Sequence, residues 1–411
     1  MEQSDLVGRD RLTPLPLWIV ICGLGVTQII GWGTTYYALG ALSQDIAATT
    51  GWSTALIFGA FSAALLLSGL ISPWAGRLVD RVGGRRVMVA GSLLSAAGLA
   101  IIGAFPHPVT YIIGWLVLGL AMRLATYDAA FASLTQIAGT GARRAISYLT
   151  LFGGLASTVF WPASHYLSQG IGWPNTLLAY AALHLVLCLP IHAVVLGGAQ
   201  GEQDSKAAPA AMAAAALADG ARRKAMALFA AAVALNGLVF SAISAHAVPL
   251  FAALGFRGEE AVFMAALIGP AQVASRVGEI LMGGRLRALD LGLIAFGLLP
   301  VAIVIFAGLG FSWPAAIAFA LLYGASNGLV TIAKGAVPLA LFGPRGYGEV
   351  LGVISAPNLV LNAAAPLLFA LLLAAASAQT AIMIAGASAL ASCLFMLWLA
   401  RLHRHAGPTS V

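Results

Sequence analysis

Gly76-Arg77-Leu78-Val79-Asp80-Arg81-Val82-Gly83-Gly84-Arg85-Arg86 is a glycine-punctuated island of five charges between two apolar runs, Ala55–Ala75 and Val87–Phe105. Each flanking run has the length that crosses a hydrocarbon core of about 30 Å as a helix. A charge held near the centre of such a core costs roughly 2.5–3.5 kcal/mol. Five charges this close together therefore belong in water, at a membrane face, with a membrane-crossing segment on either side.

The rest of the chain agrees with that reading. Its 411 residues are 61% hydrophobic and 9% charged, whereas a soluble domain carries about 25% charged residues. A large soluble core cannot explain the deficit, because a soluble surface needs charge. The net charge of +7 does not indicate nucleic acid, since the Lys and Arg residues gather in alternate loops, the topological bias of membrane proteins. The first apolar stretch, from Pro16, is too long for a cleaved signal peptide and is expected to remain as a span. Cys22, Cys188 and Cys393 lie far apart inside apolar segments and read as small packing residues rather than disulfide partners.

Twelve spans are expected: 15–40, 54–75, 87–105, 109–138, 146–168, 172–196, 224–250, 261–282, 290–310, 313–341, 350–375 and 379–401. All should be helical, because lipid cannot satisfy exposed backbone groups. With the N-terminus placed in the cytoplasm, 17 of the 21 Lys and Arg residues fall on the inner side and only Arg257 on the outer; Arg123, Arg276 and Lys334 lie within spans. That asymmetry places both termini in the cytoplasm. Residues 197–223 lose the large apolar side chains and read as a cytoplasmic linker. The expected organisation is an N-terminal six-helix half (1–196), the linker, and a C-terminal six-helix half (224–411).

The pattern Gly-x-x-x-Asp-Arg-x-Gly followed by Arg-Arg resembles the signature loop between helices 2 and 3 of the major facilitator superfamily of secondary transporters. A weak internal echo, Gly284-Arg285-Leu286, follows Gly76-Arg77-Leu78 by 208 positions. The resemblance implies an all-α membrane protein of two pseudo-symmetric six-helix bundles, with the substrate site between them near mid-membrane. It also implies that Gly76, Asp80, Arg81, Gly83, Arg85 and Arg86 form a gating loop, in which Asp80 latches the halves together on the cytoplasmic side. Read from the residues alone, Gly76 and Gly83 allow a tight reversal, and Asp80 can pair with the arginines or face a helix N-terminus; a simple positive-inside anchor also fits. Gly84 stands where the family often has a basic residue. The stretch Gly51-Trp52-Ser53 to Phe61-Ser62, with Gly69, Pro73 and the arginine of span 8, is similar to the bacterial branch of monocarboxylate and oxalate/formate transporters. In animal monocarboxylate carriers an aspartate four residues before the span-8 arginine takes part in proton coupling, and span 1 carries a lysine; here Gln272 holds the first place and span 1 has no charged residue.

Arg276 is the clearest charge inside a span. It follows Pro270, which removes one helical hydrogen bond, and shares a face with Gln272 four residues earlier. A guanidinium lining a cavity suits a carboxylate, whose two oxygens match its fork; the alternative is an ion pair with Glu279. Arg123 and Asp128 flank Tyr127 in span 4. Their spacing of five sets them obliquely on a continuous helix, so each is expected to reach another helix; Arg123 is either a second cation of the cavity or one member of an interhelical structural pair. Lys334 either contacts substrate or snorkels to the cytoplasmic surface. His246 could exchange protons near neutral pH or bond a neighbouring carbonyl. Trp32 and Tyr36, four apart, are cavity candidates, while Tyr37 is expected at the outer interface. Asn327, Asn358 and Asn362 suit interhelical packing.

The expected function is a secondary active or facilitative transporter of a small organic anion, in the inner membrane of a bacterium, working as a monomer by rocking of two halves. Asp128, His246 and Glu279 are the candidates for proton coupling; a counter-anion would need none of them. No Gly-x-x-x-x-Gly-Lys-Ser/Thr loop, nucleophile–base pair or metal-ligand group appears, so neither an enzyme, a cofactor nor a metal is expected. A carrier of a larger or neutral compound (an aromatic vitamin, a drug, a metalloid-organic compound) and a non-transporting receptor are the alternatives.

Overall fold

The computed structural model describes residues 15–197, 219–282 and 285–405. Every regular element among them is helical: α1 (Leu17–Trp32), a π-helical turn (Gly33–Tyr37), α2 (Ala38–Thr50), α3 (Thr54–Val82), α4 (Gly84–Ala104), α5 (Pro108–Ala125), α6 (Tyr127–Ala138), α7 (Ala142–Gly154), α8 (Ala156–Leu183), a second π-turn (His184–Cys188), α9 (Leu189–Val195), α10 (Asp219–Ala253), α11 (Gly258–Leu281), α12 (Ala288–Gly308), α13 (Trp313–Phe342), α14 (Tyr347–Ala375) and α15 (Ala378–His405). Ten stretches among the described residues are long and apolar enough to cross a membrane. Most of the expected linker, 198–218, lies outside the described residues, and 219–223 open α10. Of the echo at Gly284-Arg285-Leu286, Gly284 also lies outside them.

One apolar stretch, Pro108–Val195, is 88 residues long and contains α5 to α9. Within it α8 is a hairpin, not a rod. Ser164 and Tyr180 share a hydrogen bond of 2.8 Å, whereas sixteen residues of straight helix would hold them about 24 Å apart. The fold comes at Gly172, with φ 78°, a backbone conformation that side chains disfavour, and Pro174 then supplies a helix-starting residue.

The apolar core divides along the chain. Two clusters draw almost wholly on α1–α9 and two on α10–α15. Between the two sets, α3 lies against α14 at backbone distance. A Cβ on Gly76 would sit 2.0 Å from the Gly348 carbonyl oxygen, and one on Gly352 would sit 2.4 Å from that of Ser72. Small residues let helices approach this closely without a hydrophobic drive between them.

The charged island is not a loop. α3 continues through Asp80 and Arg81 to Val82, α4 begins at Gly84, and Gly83 alone joins them with φ 83°. The island's residues prolong the helix beyond the apolar run because Arg and Leu are good helix formers. Gly76 therefore serves close helix packing, and only Gly83 makes the reversal.

Candidate functional site

Arg276 is 3% exposed on α11. Its Nε and Nη2 lie at the outer limit of hydrogen bonding, 3.4 Å from the Gly328 carbonyl and from Thr331 Oγ1, both on α13. Those partners come within reach because α11 and α13 touch through glycine: a Cβ on Gly328 would meet the Gln272 carbonyl at 2.5 Å. The third nitrogen, Nη1, is buried with no partner and presses on α7, 1.9 Å from where a Cβ on Gly154 would stand. Glu279 does not neutralise it. That carboxylate lies 3.7 Å from Arg143 Nη2 on α7, so the expected alternative of an Arg276–Glu279 pair is replaced by a contact between α7 and α11. Among the described residues Arg276 has no ion-pair partner. Gln272, one turn before it, is half-buried.

Beside this cation stands a wall of rings. Tyr127 donates to the Thr150 carbonyl (3.1 Å), and its hydroxyl lies against Gly153 as Arg276 lies against Gly154. The consecutive glycines of α7 thus make room for side chains from two other helices. From Tyr127 the rings continue to Trp32 (5.3 Å between centroids), Tyr36 (5.5 Å) and then Tyr37 and Phe61 (5.3 Å each). Trp32 Nε1 is buried without a partner. Tyr37 is not at an outer interface: it is half-buried against Tyr36 and within electrostatic reach of Arg276. The π-turn explains the difference, because an inserted residue rotates the face that later side chains present. His184, which begins the second π-turn, bonds Thr34 of the first at 2.8 Å. Thr34 gives its hydrogen to the Ile30 carbonyl, so the imidazole Nε2–H is the donor. The pairing was not visible in the sequence, since neither π-turn carries a compositional mark.

Arg123 on α5 and Asp128 on α6 meet each other across the break between the two helices. They pair directly at 2.5 Å, 7% and 12% exposed. The expected oblique spacing assumed an unbroken helix, but the chain is extended at Thr126, between α5 and α6 (φ −93°, ψ −165°), and the break brings the two together. Lys334 is half-buried on α13 and within electrostatic reach of both. Removing one partner of a buried pair costs about 3–5 kcal/mol, because the other charge stays buried. Asp128→Asn should therefore lower the unfolding temperature of the detergent-purified protein markedly. Adding Arg123→Met should recover most of the loss; no recovery would show that the pair is not what holds this break together.

His246 lies at a kink of α10 (φ −121°, ψ 18°), where its Nδ1 is 3.1 Å from the Ala242 carbonyl, so it takes the local hydrogen bond. Asn358 and Asn362 sit against Gly237 of α10. At the charged end of α3, Asp80 faces the start of α14: Oδ1 accepts from Gly348 N–H (3.0 Å) and Oδ2 from Glu349 N–H (2.8 Å), where the helix dipole favours an anion. Arg77 adds an exposed pair to Glu349 (3.3 Å). Arg81, Arg85 and Arg86 are exposed. The structure thus gathers Arg276, Gln272, Tyr127, Trp32 and Tyr36 around one place. It sets Arg123, Asp128 and Lys334 in a neighbouring charged group, and leaves His246 and the α3 end apart.

Comparison with known proteins follows the same lines. A sequence model described as Major Facilitator Superfamily matches residues 21–288. No curated protein sequence matches the chain. Among solved structures, the human organic anion transporter MFSD10 (TETRAN) is 18% identical with a TM-score of 0.72, covering 93% of this chain and 100% of its own. The proton:xylose symporter XylE bound to 6-bromo-6-deoxy-D-glucose is 14% identical with a TM-score of 0.69, covering 93% and 95%. The transporter FucP in the outward conformation is 13% identical with a TM-score of 0.66, covering 94% and 98%. At such identities the likeness is one of fold.

Proposed function

The chain belongs to the Major Facilitator Superfamily, and from that premise we propose that this transporter carries a small organic anion by alternating access. The observation that carries the reading is the buried guanidinium of Arg276. It has no carboxylate partner among the described residues, and its Nη1 is unbonded. A buried, unneutralised cation is costly in a membrane protein unless something anionic visits it. A superfamily fold alone leaves the cargo open, since the similar structures include an organic anion transporter and a xylose symporter.

In this reading twelve spans form two six-helix halves, residues 1–196 and 224–411, joined by a linker. The hairpin in α8 and the division of the apolar core along the chain support it. The loop bias of the basic residues supports a cytoplasmic position for both termini and for the α3–α14 contact, and in this reading the membrane is a bacterial inner membrane. Asp80 against the start of α14 and Arg143 beside Glu279 then close that side between the halves. Asp128, His246 and Glu279 are the groups available for proton coupling, two of them already facing arginines.

Counterflow tests the assignment. Purified protein in liposomes preloaded with an unlabelled organic acid should accumulate the labelled acid, and sugars should give no counterflow. A proton gradient that drives uphill uptake marks symport; an unchanged plateau marks exchange. Uptake of sugars but no organic acid would overturn the reading.

A further inference from the structure

We infer that the anion is an aromatic carboxylate bearing a hydrogen-bond acceptor on its ring, a hydroxybenzoate-like acid rather than a short aliphatic one. The inference rests on the reading of Arg276 as the anion site. It is carried by two features that reading does not use: the rings beside the guanidinium and a second buried donor among them.

The guanidinium offers little more than one nitrogen. Nε and Nη2 already face the Gly328 carbonyl and Thr331 Oγ1, and Nη1 alone is unbonded. A lactate-sized acid anchored there would be held at one end and would leave everything beyond the carboxylate unrecognised. What lies beyond is aromatic. Tyr127 shares the glycine pair of α7 with Arg276, and Trp32 follows Tyr127 at 5.3 Å with the planes tilted by 48°. Aromatic rings associate edge-to-face or offset at such separations, and a planar substrate ring adds to the series in the same geometry. Tyr127 is held from behind by its bond to the Thr150 carbonyl, and Trp32 by Tyr36. The wall is therefore pre-formed, which reduces the ordering cost of binding.

Trp32 Nε1 supplies the second point. An indole N–H can only donate, and this one is buried with no acceptor. Other buried groups, Trp115 Nε1 among them, are also unpaired; Trp32 is set apart by its place in the ring series that runs from Tyr127 beside Arg276. A substrate oxygen on the ring, away from the carboxylate, would satisfy its N–H. An analogue lacking that oxygen leaves the indole N–H unpaired and loses about one hydrogen bond.

The test is counterflow of labelled 4-hydroxybenzoate, benzoate and lactate by the full-length protein in liposomes. We expect 4-hydroxybenzoate to exceed benzoate by about tenfold, the scale of one buried hydrogen bond, and lactate to be slowest. Trp32→Phe keeps a ring and removes the N–H, so it should bring the ratio of 4-hydroxybenzoate to benzoate close to unity. Tyr127→Leu should lower both aromatic acids towards lactate. Lactate carried as well as the aromatic acids overturns this inference while leaving the organic-anion reading intact. Trp32→Phe with the wild-type ratio overturns the role of the indole. Transport of none of the three acids, with sugars carried instead, overturns both readings together.

Discussion

Arg276→Ala should reduce organic-anion counterflow by roughly 100-fold, the loss expected when about 3 kcal/mol of a charge-assisted contact is removed. The protein should still fold. Arg276 makes only two long contacts to α13 and has no ion-pair partner among the described residues, so truncation strands no opposite charge. That separates it from Arg123, whose removal leaves Asp128 buried alone. Arg276→Lys sharpens the test. An ammonium keeps the charge on a shorter side chain, without the planar fork that lets one nitrogen face α13 while another meets α7. It should recover only a small part of the flux. Wild-type counterflow in Arg276→Ala, with normal insertion, would remove the anion site from this position.

The helical fold and its membrane character were legible in composition and run length, because a bilayer leaves the backbone few choices. Arg276 was legible for the same reason: a charge within an apolar span stands out. The surroundings of Arg276 were harder to read. Gly153 and Gly154 look like ordinary small residues of an apolar span, and only the packed structure shows Tyr127 and Arg276 seated on them. Thr331, four residues after Asn327 and three before Lys334, marks a polar stripe on α13 that was available in the sequence. The Arg123–Asp128 pair was misread because a break at Thr126 has no glycine or proline to announce it. Tyr37 was misplaced because periodicity assumes 3.6 residues per turn, and a π-turn interrupts that count. The charged island, expected as a loop, is helical through Val82, since charge bears on where a segment sits and not on whether it is helical.

Gly76→Val should abolish cycling by opening the seam between α3 and α14. A Cβ at this position would lie 2.0 Å from the Gly348 carbonyl oxygen, 2.6 Å from its carbon and 3.0 Å from the Glu349 nitrogen. All three are backbone atoms of a helix, so no side chain can turn aside and α14 itself must retreat. That retreat breaks more than packing. Gly348 and Glu349 are the residues whose N–H groups Asp80 holds at 3.0 and 2.8 Å, and one turn of α3 separates Gly76 from Asp80. A displacement of an ångström takes both bonds beyond hydrogen-bond range, so one added side chain removes contact and latch together. Asp80→Asn removes the charge and one of the two acceptors, because the amide nitrogen can only donate; it should act in the same direction by less, since one oxygen can still accept and an anion at a helix start contributes about 0.3–1 kcal/mol at exposed sites. The expected order of flux is wild type, then Asp80→Asn, then Gly76→Val, with the last more than tenfold below the first. A cysteine placed on the exposed α4 end, Arg85→Cys, reports on membrane insertion and accessibility of that face. A second, at Ser72→Cys within the seam, should react with a water-soluble maleimide faster in the Gly76→Val background than in the otherwise wild-type protein, where the seam closes again in each cycle. A seam cysteine that reacts at the same rate in both backgrounds, with wild-type flux, would mean that the added side chain does not open the seam and that Gly76 is not what lets α3 and α14 close.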